Sequence, residues 1–104
     1  MRRDWNRKEI DAAVEAYFWM LGEQVAGRSF SKADMVRGLQ FGALSQRNLS
    51  SITRKFSNIS AILAEVGAPW VRGYKPLSHV QRALQARALF VAPRRGLRVQ
   101  EQPR

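Results

Sequence analysis

RNLSSITRKFSNISAILAEVG, residues 47–67, sets Ile52, Phe56, Ile59, Leu63 and Val66 at spacings of 4, 3, 4 and 3. That repeat lines one side of a helix with apolar side chains, so the stripe is expected to be core. Ser51, Arg54, Lys55, Ser57, Asn58 and Ser60 lie between those positions, and none of them is acidic. The second face is therefore free to meet a polyanion.

Around this helix the 104-residue chain has the size of one small domain, able to bury a modest core without staples. It holds no cysteine, which excludes disulfides and thiolate metal sites and fits a reducing compartment. The longest strictly apolar run, residues 16–21, is far short of the roughly 20 residues that cross a bilayer, and no apolar signal core opens the chain. A soluble, cytoplasmic protein is expected, with no membrane partner.

The net charge of +10 is unevenly placed. Six basic residues (Arg2, Arg3, Arg7, Lys8, Arg28, Lys32) balance six acidic ones (Asp4, Glu9, Asp11, Glu15, Glu23, Asp34) in residues 1–34. After Asp34, twelve Lys or Arg face only Glu65 and Glu101. Such asymmetry suits a nucleic acid or another anionic surface, because each neutralised phosphate releases counterions. The competing reading is an inert, solvated basic surface.

Four helices account for the chain. Ile10, Val14, Tyr17, Phe18, Leu21 and Val25 predict a first helix over residues 5–25, capped by Asp4 and ended by Gly27. Ser31 and Asp34 form a capping-box-like start to a second, whose buried side is Met35, Val36, Leu39 and Leu44. The third is residues 47–67, with Asn48 or Ser50 as cap and Gly67 as stop. Residues 68–77, APWVRGYKPL, hold two prolines and Gly73 and predict an irregular loop. A fourth helix is expected over residues 78–92, with Val80, Leu84, Ala88 and Val91 inward and Pro93 ending it. The expected fold is all-α: a compact four-helix domain over residues 1–92, with a helix-turn-helix-like pair formed by helices 2 and 3. Residues 93–104 are expected to be a disordered basic tail.

The residues argue against catalysis. Acid–base and metal-assisted chemistry draw on histidines, cysteines and clustered carboxylates. Only His79 is present, placed in the first turn of the fourth helix, and Asp11 and Glu15 are too few oxygen donors for a hard cation. No cofactor, metal or enzymatic activity is expected. Binding is better supported: in a helix-turn-helix arrangement the second helix enters the major groove, where Arg forks onto guanine, Asn onto adenine, and Ser reaches phosphate. Arg47, Ser51, Arg54, Lys55 and Asn58 are the candidate contacts on the third helix, with Arg72 and Lys75 on the loop. Asn58 has an equally good structural reading, as a brace for that loop. Trp70 and Tyr74 divide between covering the core and stacking on a base, with the core ahead. Trp5, Tyr17, Phe18 and Trp19 are simplest as core or partner interface.

RNLSSITRKFSNISAIL followed by APWVRGYKPLSHVQ resembles a pattern, R-S-x-x-S-I-x-x-K-x-x-N-I-S-A-V-L then a G-Y-K-P loop, of bacterial proteins with HNH endonuclease or uncharacterised C-terminal domains. The family compared is the N-terminal head domain of ScoMcrA-type modification-dependent restriction endonucleases, whose opening W-x-x-E-E helix WNRKEIDAAVEAYFWML also resembles. Arg47, Ser51, Ile52, Lys55, Asn58, Ile59, Ser60 and residues 73–76 match; Asn48 replaces a Ser, and Thr53 stands where an acid is common. The resemblance spans residues 5–91 and implies a non-catalytic targeting domain of a defence nuclease, binding duplex DNA. The HNH domain itself is absent from these residues, so any cleavage belongs elsewhere. RNA would suit the same basic face. A protein-interaction or dimerisation head, built on the aromatic first helix, is the alternative.

Overall fold

The computed structural model describes residues 4–97. Four helices, α1 (Arg7–Val25), α2 (Lys32–Phe41), α3 (Leu49–Glu65) and α4 (Arg82–Arg94), form a compact all-α bundle with no strand among the described residues. Its radius of gyration is 13.1 Å. That is the value expected of a single domain of this length, about 13 Å for 100 residues.

Asn6, rather than Asp4, caps α1. Its side-chain oxygen accepts the Glu9 N–H at 2.9 Å, and the Glu9 carboxylate accepts the Asn6 N–H at 3.0 Å, a reciprocal capping box that Asp4 has no partner to form. The helix therefore starts at Arg7, and Trp5 folds into the core just ahead of it. Ile10, Ala13, Val14, Tyr17, Phe18, Met20 and Leu21 are buried over a wide arc because α1 is the central helix, touching α2, α3 and α4. Val25 is 66 % exposed, contrary to the expected inward placement, since the helix outruns the core.

The Ser31 hydroxyl accepts the Asp34 N–H and starts α2, while the Asp34 carboxylate turns outward to Arg37. Val36 is buried, Met35 and Leu39 are partly so, and Leu44 is buried from the turn beyond the helix. α2 rests on α1, and the turn at residues 42–48 leads from it into α3, which packs on α1 and α4.

Asn48 caps α3 by accepting the Ser51 N–H at 2.8 Å. Ile52, Phe56, Ile59 and Leu63 are fully buried, so the apolar stripe is core as its spacing requires. At the other end Gly67, at φ 72°, adopts the left-handed conformation of a Schellman motif, with the Ala68 N–H bonded to the Leu63 carbonyl.

The loop of residues 68–77 is pinned from both sides. From α1, the Tyr17 hydroxyl accepts the Val71 N–H at 2.9 Å and meets the Ser60 hydroxyl at 2.7 Å; burial pushes this phenol up to about 12. Gln24 receives the Arg72 N–H and donates to the Trp70 carbonyl. From α3, the Phe56 ring packs on Tyr74 with centroids 5.1 Å apart. Tyr74 is buried, as its packing reading expects, and Trp70 is half-buried against the core.

α4 begins at Arg82, four residues later than expected, because residues 78–81 stay extended past a left-handed His79. Its far end also differs. Pro93 sits within the last turn, where its missing N–H costs a single helical bond, and the helix closes on Gly96 with the Leu97 N–H bonded to Ala92. Leu97 packs against the core and Arg95 pairs with Glu15, so residues 93–97 belong to the domain; the rest of the expected tail, residues 98–104, lies outside the described residues.

Candidate nucleic-acid interface

The late start of α4 creates a groove. The first turns of α3 and α4 stand side by side, and with residues 79–81 and Trp5 they enclose an open concavity of about 800 Å³. Arg47, Ser51, Arg54, Lys55 and Asn58 all line it, so five of the seven candidate contacts converge. Arg72 and Lys75 do not; both are exposed on the loop, which at Gly73 approaches the Lys32 side chain.

The five differ in what they are free to do. Arg47 forks onto Glu9, with Nε to Oε2 and Nη2 to Oε1 both at 2.8 Å, and lies 5.0 Å over the Trp5 ring. Its hydrogen bonds hold the Glu9 carboxyl below the usual carboxylate range. The two side chains are only 14 % and 10 % exposed, so Arg47 anchors the start of α3 to the start of α1. Lys55 is half-buried; its ammonium also sits 5.0 Å over the Trp5 ring and donates to Gln81 Oε1 at 3.3 Å. Burial, helped by the Arg47 charge, lowers its pKa. Gln81 completes this network by donating to the Trp5 carbonyl at 3.1 Å.

Asn58 is 5 % exposed and donates to the carbonyls of Leu77 and Ser78 at 2.5 and 3.3 Å. Of its two readings, the brace is the one the geometry supports. Those bonds, with the Leu77 N–H on the Ser57 carbonyl, hold residues 77–78 against α3, and the left-handed His79 that follows keeps a helix from starting at Ser78. Ser51 remains half-exposed and Arg54 exposed.

Arg82, His79 and Ser50 were absent from the expected contacts, yet all three line the groove. Arg82 was hidden by the misplaced helix start. A usable signal was present: residues 78–85 carry no acid, and the first turn of α4 contains none. No carboxylate among the described residues pairs with Arg54 or Arg82. Asp4 is the sole acidic side chain in the lining.

The charge asymmetry along the sequence partly cancels in space. Acids of α1 pair with cations of the basic half: Glu9 with Arg47, Asp11 with Arg87 at 2.9 Å, and Glu15 with Arg95. Asp11 and Glu15 are thus engaged in joining α1 to α4. No group of three or more His, Cys, Asp or Glu that could hold a metal ion occurs among the described residues. Nor is any described helix long and apolar enough to cross a membrane.

No protein-family model, curated protein or solved structure matches this chain.

Proposed function

We propose that the protein is a non-catalytic domain that binds duplex DNA through the groove between α3 and α4. The observation that carries this is the convergence of Arg54 and Arg82, from two different helices, on one concave surface, neither with an acidic partner among the described residues. Cations so placed contact phosphates, and exposed Arg72 and Lys75 extend the basic surface along the neighbouring loop. The resemblance of residues 5–91 to restriction-nuclease head domains supports a targeting role within a bacterial defence nuclease, whose cutting domain would be a separate unit.

Salt dependence tests the reading. Four phosphate contacts, from Arg54, Arg82, Arg72 and Lys75, predict an affinity loss of ~10²-fold between about 50 and 200 mM salt. Absence of binding to any duplex at the lower concentration overturns it, and tighter binding to structured RNA in competition redirects it to RNA.

A second reading has its own observation. Trp19 is 46 % exposed, meets Phe30 edge-on at 6.0 Å, and with Met35 and Leu39 lines an apolar trough of about 410 Å³ between α1 and α2. Such a surface suits a protein-interaction or dimerisation head. Light scattering distinguishes a dimer from a monomer directly.

A further inference from the structure

Resting on the DNA-binding reading, we infer that the groove grips the sugar–phosphate backbone of duplex DNA and does not read its bases. Helices that read a major groove do so with three or four side chains reaching base edges. On α3 the groups suited to that task are already committed within the protein. Asn58, the one amide beyond the cap of α3 that could fork onto adenine, is buried and bonded to two carbonyls. The Arg47 fork is filled by Glu9, and the Lys55 ammonium is held by Gln81 above Trp5.

One side of α3 carries only short side chains. Exposed Ser50 and half-exposed Thr53, Ser57 and Ala61 follow one another along it at helical spacing, and the Thr53 hydroxyl is bonded back to the Ser50 carbonyl. Arg54 is the only long cation on that ridge. A ridge of small side chains lets a backbone approach closely, and a single arginine cannot specify a sequence.

The second long cation stands on the other wall. Arg82, the first residue of α4, is exposed and lines the same groove as Arg54. A convex phosphodiester strand lying in the concavity would meet one guanidinium from each helix, with the Ser50 hydroxyl in the same lining as a neutral donor. Phosphate contacts fix the register of a protein on DNA but carry no sequence information.

The test measures affinity of the full chain for a panel of unrelated duplexes of equal length, over a salt series, with Arg54→Gln and Arg82→Gln singly and together. Both side chains are exposed, so helicity by circular dichroism is expected to be unchanged and serves as the folding control. The wild type is expected to bind all members of the panel alike. Each substitution should lower the slope of log affinity against log salt by about 0.9, and weaken binding ~8-fold at about 0.1 M salt on every duplex; the double variant should lose about twice that slope. Unchanged slopes in both single variants, with wild-type binding intact, overturn the clamp while leaving DNA binding standing. A duplex preferred tenfold or more, with the preference abolished by Arg54→Gln, overturns it in favour of base reading. Failure of the wild type to bind any duplex removes the functional reading itself.

Discussion

The groove between α3 and α4 and the trough between α1 and α2 are both open concavities, yet they are built on opposite principles. The groove is walled by polar side chains whose hydrogen bonds run to distant parts of the chain: Arg47 to Glu9, Gln81 to Trp5, Asn58 to Leu77. The trough is walled by Trp19, Phe30, Met35 and Leu39, with Asp34 on its rim turned away toward Arg37. In the groove, a side chain's residue type says little about its availability, because Arg47 and Arg54 lie seven positions apart and, among the described residues, a carboxylate pairs with the first and not with the second. In the trough, exposure itself is the signal.

The largest expected effect is at the partner of the groove residue Arg47. Glu9→Ala removes one partner of a nearly buried ion pair together with half of a capping box, and should destabilise the fold by on the order of 3 kcal/mol in a chemical denaturation series. Its pH dependence has a definite sign. The Glu9 pKa is lowered in the folded state by Arg47, so its contribution is complete above the ordinary glutamate value of 4.5 and is lost as pH falls through the lower folded value. The stability gap between wild type and Glu9→Ala should therefore be constant near neutrality and narrow in acid; a gap that widens in acid would contradict the pairing.

Asn58→Ala comes next. It leaves the Leu77 and Ser78 carbonyls without their donor and should cost about 1 to 2 kcal/mol, read from the melting temperature, while DNA affinity per folded molecule stays constant. Lost sequence discrimination with full stability would reverse that assignment. Trp19→Ala is expected to be the mildest, below about 1 kcal/mol in stability because the ring is already half in water, and to leave DNA binding untouched. Were it to dissolve a dimer while Arg54→Glu and Arg82→Glu changed nothing measurable, the trough and not the groove would be the functional surface.

The helices were legible in the sequence because burial periodicity is a local property. Ile52, Phe56, Ile59 and Leu63 announce their shared face without reference to anything else, and Gly27 and Gly67 mark the ends of α1 and α3 by the conformation each adopts there. Where local signals competed, the structure chose by tertiary contact. Ser78 is a good capping residue by type, but Asn58, twenty positions earlier, takes its carbonyl, and His79 turns left-handed behind it. Asp4 lost to Asn6 because only Asn6 has a glutamate three residues on.

The site was legible as a neighbourhood and not as a set of roles. Five of seven candidates do share one groove, but the partner of Arg47 is 38 residues away, and no local pattern marks Glu9 as buried rather than part of a solvated acidic face. Arg82 was overlooked for the related reason that its position depends on where α4 begins.

Gln81 ties these threads together in a single amide. Its nitrogen reaches back to the Trp5 carbonyl and its oxygen holds the Lys55 ammonium, so the first residue ahead of α4 is fastened both to the lead-in of α1 and to the wall formed by α3. The width of the groove is thereby set in the unliganded protein. A partner entering it would immobilise only the outer reaches of Arg54 and Arg82, leaving little conformational entropy to be surrendered on association.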